Sequence, residues 1–367
     1  MRMTVAKFLV AMLVFATSSA ANAQSDDWQK TWQSTLEAAK AEGKLVVVGQ
    51  PSPAMRNEIL PAFTKKFGIP VELISGQSSA VVGKVRTERA SGIYSIDVFM
   101  ANGSTSIASL YAERMLDPLK PLLLLPEVLD GSKWKRGRPF FADPEEQYLM
   151  LMFVSVDSLL FINTEYVKPE ELRSARDLLN PKWKGKISSE DPRLPGGSGV
   201  STAVHFYQQL GPEFVKKLYI DQEPAIQRDR RILTDWMARG TYPICLTCHI
   251  DDARVLMKEG FKLVEIFHLS DIKNRLNVVP AVLSYANRAP HPNAARIFVN
   301  WMASKEGLEL YSRHSGSATL RNDVDESFLD PEIIPKDGVD YQDNSNLSWV
   351  ATTQRQLADK VRTLLKK

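Results

Sequence analysis

The most distinctive spacing of reactive side chains in this sequence is Cys245-Leu-Thr-Cys248-His249. This is C-x-x-C-H, the spacing at which c-type haem is attached through two thioethers, with the histidine as axial ligand. Haem attachment normally uses a helix that begins at the motif, whereas the stretch from Tyr242 to Thr247 has the character of a strand. A five-residue match with two free positions is also weak, so an electron-transfer haem protein is a remote alternative.

The state of the two cysteines, which are the only ones in the chain, is left open by the sequence. In an oxidising compartment they could form a disulfide. In a regular strand, however, Cys245 and Cys248 would point to opposite faces, and Cys245 would then act as a small buried hydrophobe.

A glycine-rich segment and an arginine run offer a different chemistry, the binding of an anion. Gly196–Thr202 leads into a predicted helix, whose first N–H groups and positive dipole end suit an anion. We expect contacts from Ser198, Gly199 and Ser201, although a serine here could simply cap the helix. Within the run 227–231, a guanidinium fork could bind carboxylate or phosphate, and Arg228 is the preferred candidate. A charge run is more commonly a solvated face.

The sequence contains no catalytic constellation. There is no G-x-S-x-G elbow, no H-E-x-x-H motif and no Walker loop. Two acidic residues follow His249, but acids at this position suit the first turn of a helix. We therefore predict a binding protein without catalytic residues, bound metal or cofactor.

The N-terminus and the charge balance define the compartment and exclude one class of partner. Arg2 and Lys7 precede a short apolar run, and Ala21–Ala23 is a small-x-small cleavage site, so residues 1–23 are a predicted signal peptide. We expect a protein of the periplasm. The net charge of +3 at pH 7 lacks the basic excess of a nucleic-acid-binding protein.

The elements that must position these residues follow an α/β order. The predicted segments are a helix around Trp28–Ala39, a strand over Leu45–Val48, a helix over Ile59–Phe67, a strand over Val71–Ile74, a helix over Ala80–Ala90, a strand over Ile96–Met100 and a helix over Ser104–Met115. This alternation is the signature of a doubly wound α/β sheet. A second α/β pattern follows from about residue 156.

Polar loops follow the first three strands, at the edge where open α/β sheets bind ligands. The candidate ligand contacts from these loops are Gln50, Ser52, Ser78, Ser79, Asn102 and Ser104. Turn chemistry alone explains such loops in most proteins.

Three segments together resemble one family, the periplasmic extracellular solute-binding proteins of ABC importers, in the branch that includes the ferric-iron-binding proteins. The first segment is AEGKLVVVG, followed by the stretches FTKKFGIPVELISGQSS and KVRTERASGIYSIDVF. The second is FINTEYVKPEEL with the later stretch DLLNPKWKGKIS, and the third covers residues 289–324. The resemblance implies a type II periplasmic binding protein fold, in which two doubly wound α/β lobes are joined by hinge strands and close on a small solute. It also implies delivery of that solute to a membrane permease.

On this basis we predict residues 24–155 plus 277–345 as lobe 1 and 156–276 as lobe 2. Residues 346–367 are predicted to form a C-terminal amphipathic helix, whose packing the sequence leaves open. We expect a monomer.

The resemblance also bears on the ligand. Iron-binding relatives hold Fe(III) with adjacent tyrosines on a turn of the second lobe, where this sequence has Cys248 and His249. A ferric ion prefers oxygen ligands. The sequence therefore favours a small organic anion, such as a carboxylate, phosphonate or sugar phosphate, with Cys248 and His249 in the wall of its site. Ferric iron or another metal is the alternative.

Overall fold

The computed structural model describes residues 27–49, 52–76, 78–101, 106–194, 197–277, 282–343 and 353–366. Its strands, in chain order, are β1 Leu45–Gly49, β2 Val71–Ser75, β3 Val98–Ala101, β4 Leu116–Asp117, β5 Phe140–Phe141, β6 Met150–Leu151, β7 Ser155–Val156, β8 Leu160–Asn163, β9 Ile187–Glu190, β10 Ala225–Gln227, β11 Ile244–Cys245, β12 Leu263–Ile266, β13 Arg275–Asn277, β14 Val282–Ala286 and β15 Gln342–Asp343. The predicted signal peptide lies outside the described residues.

Twelve α-helices are described. They are α1 27–42, α2 Leu60–Phe67, α3 Ser78–Ala90, α4 Ser106–Ala112, α5 Pro126–Leu129, α6 Ser198–Leu210, α7 Pro212–Lys216, α8 Arg230–Ala238, α9 Ile250–Lys258, α10 Pro292–Ala303, α11 Lys305–Ser315 and α12 Arg355–Leu364. Short 3-10 turns cover Lys120–Leu122, Gly131–Lys133, Pro169–Glu171, Ala175–Leu179 and Pro181–Trp183, and wider helical turns cover Met55–Ile59 and Lys217–Asp221. None of the described helices is long and apolar enough to cross a membrane.

The first lobe is built on a seven-stranded sheet in the order β2-β1-β3-β14-β6-β5, with β4 also paired to β14. β1 is parallel to β2 and β3. All five residues of β1 are buried, because helices cover both faces of the sheet. The core of this lobe continues into α10, of which nine residues are buried. The lobe thus combines chain from both sides of the second lobe.

The second lobe is built on a five-stranded sheet in the order β10-β9-β11-β8-β12. β9 is parallel to both β10 and β11, whereas β8 is antiparallel to β11 and β12. The carboxyl ends of β9 and β11 therefore lie at the same edge. The main core of this lobe packs α6 against the sheet, and a smaller apolar cluster lies beneath α8 and α9.

A separate three-stranded sheet in the order β15-β13-β7 connects the lobes. The chain passes through β7 between β6 of the first sheet and β8 of the second, and it returns through β13 between β12 and β14. This arrangement confirms the predicted fold of two α/β lobes joined by hinge strands. The exact limits of the lobes, at residues 155/156 and 276/277, stay a prediction.

The C-terminal segment crosses the hinge a third time. β15 pairs in parallel with β13, and α12 then packs on α6 of the second lobe. Val361 and Leu365, which are 0% and 6% exposed, belong to the core of that lobe. The described part of the predicted C-terminal helix, Arg355–Leu364 with the two helical residues before it, is therefore packed, and residues 346–352 lie outside the described residues.

Arg321 is a buried arginine that joins three segments of the first lobe. Its side chain is fully buried, and its guanidinium donates to both carboxylate oxygens of Asp323 at 2.8 and 2.9 Å and to Glu127 Oε2 at 3.1 Å. It also donates to the backbone carbonyl of Ala303 at 3.3 Å. One buried cation thereby joins the loop after α11 to α5 and to the end of α10.

Candidate functional site

The carboxyl ends of β9 and β11 form the polar edge of the second-lobe sheet. Glu190 is the last residue of β9, and Thr247 follows β11 by two residues. The backbone N–H of Glu190 donates to Thr247 Oγ1 at 2.6 Å, which fixes the end of one strand to the turn after the other. This is the edge at which open α/β sheets bind ligands.

The turn after β11 is closed by a disulfide between Cys245 and Cys248. The expectation based on a regular strand was wrong, because β11 ends at Cys245 and the chain turns before Cys248. The side chains are 0% and 1% exposed, in the small cluster beneath α8. Both sulfurs are thus buried and bonded to each other, so neither is available to a haem vinyl group. We also correct the expectation that the Cys248 side chain lines the wall of the site.

Arg230 is the cation held by this turn. It is the first residue of α8, whose N-terminus is capped by Asp229 through a bond from Arg231 N at 2.9 Å. Arg230 Nε donates to the carbonyl of Thr247 at 3.0 Å, and Nη2 donates to the carbonyl of Cys248 at 2.5 Å. Its remaining terminal nitrogen, Nη1, has no hydrogen-bond partner among the described residues. One face of the guanidinium is therefore fixed, and the other is left for a ligand.

The electrostatic surroundings of Arg230 are acidic. Burial lowers the pKa of its guanidinium, and four carboxylates within electrostatic range, Glu190, Asp157, Asp251 and Asp252, act in the opposite direction. Arginine nonetheless stays protonated in proteins. The partly buried charge is thus permanent.

Arg228, the arginine that the sequence favoured within the run 227–231, does not contact the turn after β11, and its role in ligand binding stays a prediction. Arg228 is exposed, and its backbone N–H donates to Gln227 Oε1 at 2.7 Å. Because α8 begins at Arg230, that side chain, two residues further along, is the one that reaches the turn after β11.

The start of α6 is occupied by a carboxylate of the protein itself. Glu190 Oε2 accepts the backbone N–H of Gly199 at 2.9 Å. A Cβ added to Gly199 would lie 2.5 Å from the carbonyl oxygen of Glu190, and one added to Gly197 would lie 2.7 Å from its carboxylate. The glycines are therefore required by the close approach of Glu190. An incoming anion would have to displace this bond, so the expectation that Gly199 N–H awaits a ligand was wrong.

Ser201 faces the hinge. Its Oγ accepts a hydrogen bond from Arg275 Nη1 at 2.9 Å, while Arg275 forms an ion pair with Asp157 in which both side chains are 14% exposed. Ser198, in the first turn of α6, is half-buried and has no side-chain hydrogen bond among the described residues. Ser198 stays a predicted contact, whereas Ser201 already has a structural partner.

His249 caps α9. Its ring Nδ1 accepts the backbone N–H of Asp252 at 3.4 Å and lies 3.3 Å from the Asp252 carboxylate. The backbone N–H of His249 donates to Thr234 Oγ1 at 2.9 Å. The side chain is 34% exposed. A structural role is established by these contacts, and a role in ligand binding stays a prediction.

The predicted wall from the first lobe is only partly described. Gln50, Asn102 and Ser104 lie outside the described residues, and Ser78 and Ser79 are described only as the first backbone residues of α3. Ser52 Oγ accepts the N–H of Met55 at 3.3 Å, which is the capping contact of the helical turn that follows.

Sequence reasoning missed Glu190, Arg230 and Thr247 as the residues that organise this edge. The sequence does contain a signal for the hinge, because the charged residue Asp157 interrupts the apolar run 149–162. Within the described ranges, no three His, Cys, Asp or Glu side chains are grouped so that they could hold a metal ion.

Comparison with known proteins relates this arrangement to a family. The model of the bacterial extracellular solute-binding proteins matches residues 58–339. Iron uptake protein A1 of Synechocystis sp. is 25% identical over 131 residues, which are 36% of this chain and 33% of that protein. The match thus spans about a third of the length of this curated relative.

Solved structures share the fold. Iron-bound HitA from Pseudomonas aeruginosa aligns with a TM-score of 0.65 at 17% identity, over 87% of this chain and 99% of its own. AfuA from Actinobacillus pleuropneumoniae, with fructose-6-phosphate bound, aligns with a TM-score of 0.63 at 17% identity, over 87% and 97%. Apo ferric ion-binding protein A from Pasteurella haemolytica aligns with 0.64 at 14% identity, over 88% and 98%. With the family model covering more than half of the sequence, the chain belongs to the bacterial extracellular solute-binding proteins, the substrate-binding proteins of ABC importers.

Proposed function

We propose that this protein captures a small organic anion, such as a carboxylate, phosphonate or sugar phosphate, in the cleft between its lobes and delivers it to an ABC permease. The observation that carries the proposal is the position of Arg230. Its guanidinium is fixed on one side by the carbonyls of Thr247 and Cys248 and has Nη1 without a partner among the described residues. A pre-oriented arginine fork binds carboxylate and phosphate in two-point fashion.

The proposal extends to location and mode of action, which the family supports. We propose that the protein works in the periplasm as a monomer after removal of residues 1–23, and that it acts by binding rather than by catalysis. The three-stranded hinge sheet allows one lobe to rotate against the other, as in other proteins that close around their ligands. Small-angle scattering with and without the bound solute should show compaction, and an unchanged radius of gyration would contradict the closing mechanism.

Ferric iron is the second candidate, since two of the structural relatives and the curated relative have iron in their names or titles. The sequence has Cys248 and His249 where the iron-binding branch places tyrosines, and the described Cys248 sulfur is bonded to Cys245. This removes one ligand from the turn and favours the organic anion.

The test compares two adjacent arginines. Arg230→Met should weaken binding of the anion by a factor of about 30 or more, because removing one partner of a desolvated charged contact costs about 2 kcal/mol or more. Arg231→Met is the matched control, because Arg231 lies on the same helix, its side chain is 77% exposed, and its nearest carboxylate is 3.9 Å away.

The measurement is isothermal titration calorimetry with a panel of carboxylates, phosphonates and sugar phosphates, alongside Fe(III) with citrate. The ligand released from protein purified without refolding, identified by mass spectrometry, sets the panel. Equal affinity of the two arginine variants for the anion, or tight binding of Fe(III) without binding of any organic anion, would refute the proposal.

A further inference from the structure

The acidic surroundings of Arg230 limit which anions the site can accept. Thr247 connects the end of β9 to Arg230, because its hydroxyl accepts the backbone N–H of Glu190 at 2.6 Å and its carbonyl accepts the side-chain Nε–H of Arg230 at 3.0 Å. The carboxylate of Glu190 lies within electrostatic range of the guanidinium. A cation and an anion thus flank a single residue of the turn.

Two of the other carboxylates near Arg230 have charged or histidine neighbours, whereas Asp251, in the first turn of α9, is exposed and has no ion pair among the described residues. Asp157 forms an ion pair with Arg275, and Asp252 lies 3.3 Å from the His249 ring and 3.9 Å from Arg231. Glu190 likewise has no cationic side chain within ion-pair distance among the described residues, and its carboxylate accepts one hydrogen bond there, from the N–H of Gly199. Its second carboxylate oxygen is available as an acceptor.

The hydrogen bond from the N–H of Gly199 to the Glu190 carboxylate disfavours the binding of a phosphate or a dicarboxylate at the start of α6. The N-terminus of a helix ordinarily attracts an external anion through its free N–H groups. At α6 the carboxylate of Glu190 already fills this position, and a second anion placed beside it would meet a like charge. Arg230 alone offsets this repulsion only for a ligand with a small negative charge.

Positions between residues 27 and 353 that lie outside the described ranges contain no Asp, Glu, Lys or Arg. They add no cation that would change this balance. The described side chains around Arg230 therefore include one available cation and two carboxylates without an ion pair, of which Glu190 belongs to the strand end that Thr247 joins to Arg230 and Asp251 lies exposed on α9.

We infer that the solute is a zwitterion: a small molecule with a carboxylate or phosphonate for Arg230 and an ammonium group for Glu190. This inference rests on the proposed function and narrows its ligand class. A molecule with both charges satisfies both side chains at once, whereas a plain anion leaves Glu190 without a partner and a plain cation leaves Arg230 without one. Glu190 is then the residue that determines specificity, and Arg230 supplies the anchor.

The experiment uses pairs of ligands that differ only in the ammonium group. β-Alanine is compared with butyrate, and 2-aminoethylphosphonate with propylphosphonate, by calorimetry on the full mature chain. The amino member of a pair should bind at least about tenfold more tightly, as expected for a desolvated charge pair. Glu190→Gln keeps an acceptor for the N–H of Gly199 and removes the charge, so it should abolish the preference for the amino member of each pair.

Glu213→Gln is the matched control, since Glu213 is an exposed carboxylate of the same lobe without an ion pair among the described residues. It should retain the preference of the unaltered protein. If Glu190→Gln does not fold, the ratio within each ligand pair on the unaltered protein still decides.

The outcomes separate the two proposals. Equal binding of both members of a pair, with loss of both in Arg230→Met, would overturn the zwitterion and leave the organic anion standing. No binding of any member of either pair would also overturn the zwitterion, while the wider panel still tests the organic anion. Binding of the amino members that Arg230→Met does not affect would overturn the proposed function together with the inference that rests on it.

Discussion

Protonation of His205 should destabilise the protein in mild acid. The ring is 2% exposed, and its Nδ1 lies 2.7 Å from Gln342 Oε1 at the hinge. Burial, together with the nearby positive charge of Arg275, lowers the pKa of His205 from 6.5 to about 4, against smaller opposing effects of Gln342, Asp157 and the Lys273 carbonyl. The pKa of His205 is lower in the folded protein than in the unfolded chain. The stability that neutral, buried His205 contributes is therefore complete above pH 6.5 and is lost as the pH falls toward 4.

The size of the effect follows from the two pKa values. A difference of one pKa unit corresponds to about 1.4 kcal/mol. When the pH is low enough to protonate His205 in both the folded and the unfolded state, the free energy of unfolding is therefore lower by about 3 kcal/mol than when both are neutral. At pH 5 the histidine of the unfolded chain is almost fully protonated and that of the folded chain is almost neutral. The free energy of unfolding should therefore fall by about 2 kcal/mol between pH 7 and pH 5 on account of His205 alone.

The assay is urea denaturation followed by tryptophan fluorescence at pH 8, 7 and 5, for the unaltered protein and for His205→Gln. Glutamine can keep the contact with Gln342 but does not titrate. All other groups titrate alike in both proteins, so the difference between their pH profiles isolates His205. The profiles should coincide between pH 8 and 7 and diverge by about 2 kcal/mol at pH 5. Profiles that stay parallel down to pH 5 would refute this account of the hinge.

Two further perturbations test the remaining structural claims. Reduction of the Cys245–Cys248 bond, which closes a loop with a sequence separation of 3, should lower the free energy of unfolding by about 2 kcal/mol, as chain entropy predicts for so short a loop. Urea denaturation with and without reductant measures this loss of stability, and a variant with alanine at both cysteine positions should not respond to the reductant. Two free thiols in the unreduced, denatured protein would contradict the disulfide. Arg321→Met should cost about 3 kcal/mol by leaving buried acceptors without their cation. Arg138→Met, which removes an ion pair whose arginine is 54% exposed, is the control and should leave the melting curve nearly unchanged. Equal melting curves for the two variants would show that Arg321 does not join the elements around it.

The sequence allowed the fold to be predicted because its signals are local. The uninterrupted apolar run of β1 predicts a strand covered on both faces, and Gly68 ends α2 with a φ of 72° that glycine adopts readily. β13 and β15 carried no such signal, since each is only two or three residues long and is held by partners distant in sequence. α11 was also missed, although its boundary residues, Ser304 and Gly316, are typical caps.

The candidate site was harder to predict because it depends on directions and contacts between elements. Choosing Arg230 over Arg228 requires knowing that Asp229 caps α8, which fixes where each side chain points. The position of Glu190 at the start of α6 depends on a side-chain contact between residues nine apart in the sequence. The C-x-x-C-H spacing misled for the opposite reason, because it is a local pattern whose meaning depends on the tertiary environment.

The third crossing of the hinge has a consequence for how the chain matures during synthesis. The core of the first lobe requires residues of β14 and α10, and the core of the second lobe requires Val361 and Leu365. A nascent chain that has emerged only as far as β12 therefore holds the complete five-stranded sheet but lacks the helix that covers α6, and its first sheet lacks β14 at the centre. The core of the first lobe contains no residue of α12, whereas the core of the second lobe is complete only when α12 has packed on α6, so the second lobe is the last to complete its core.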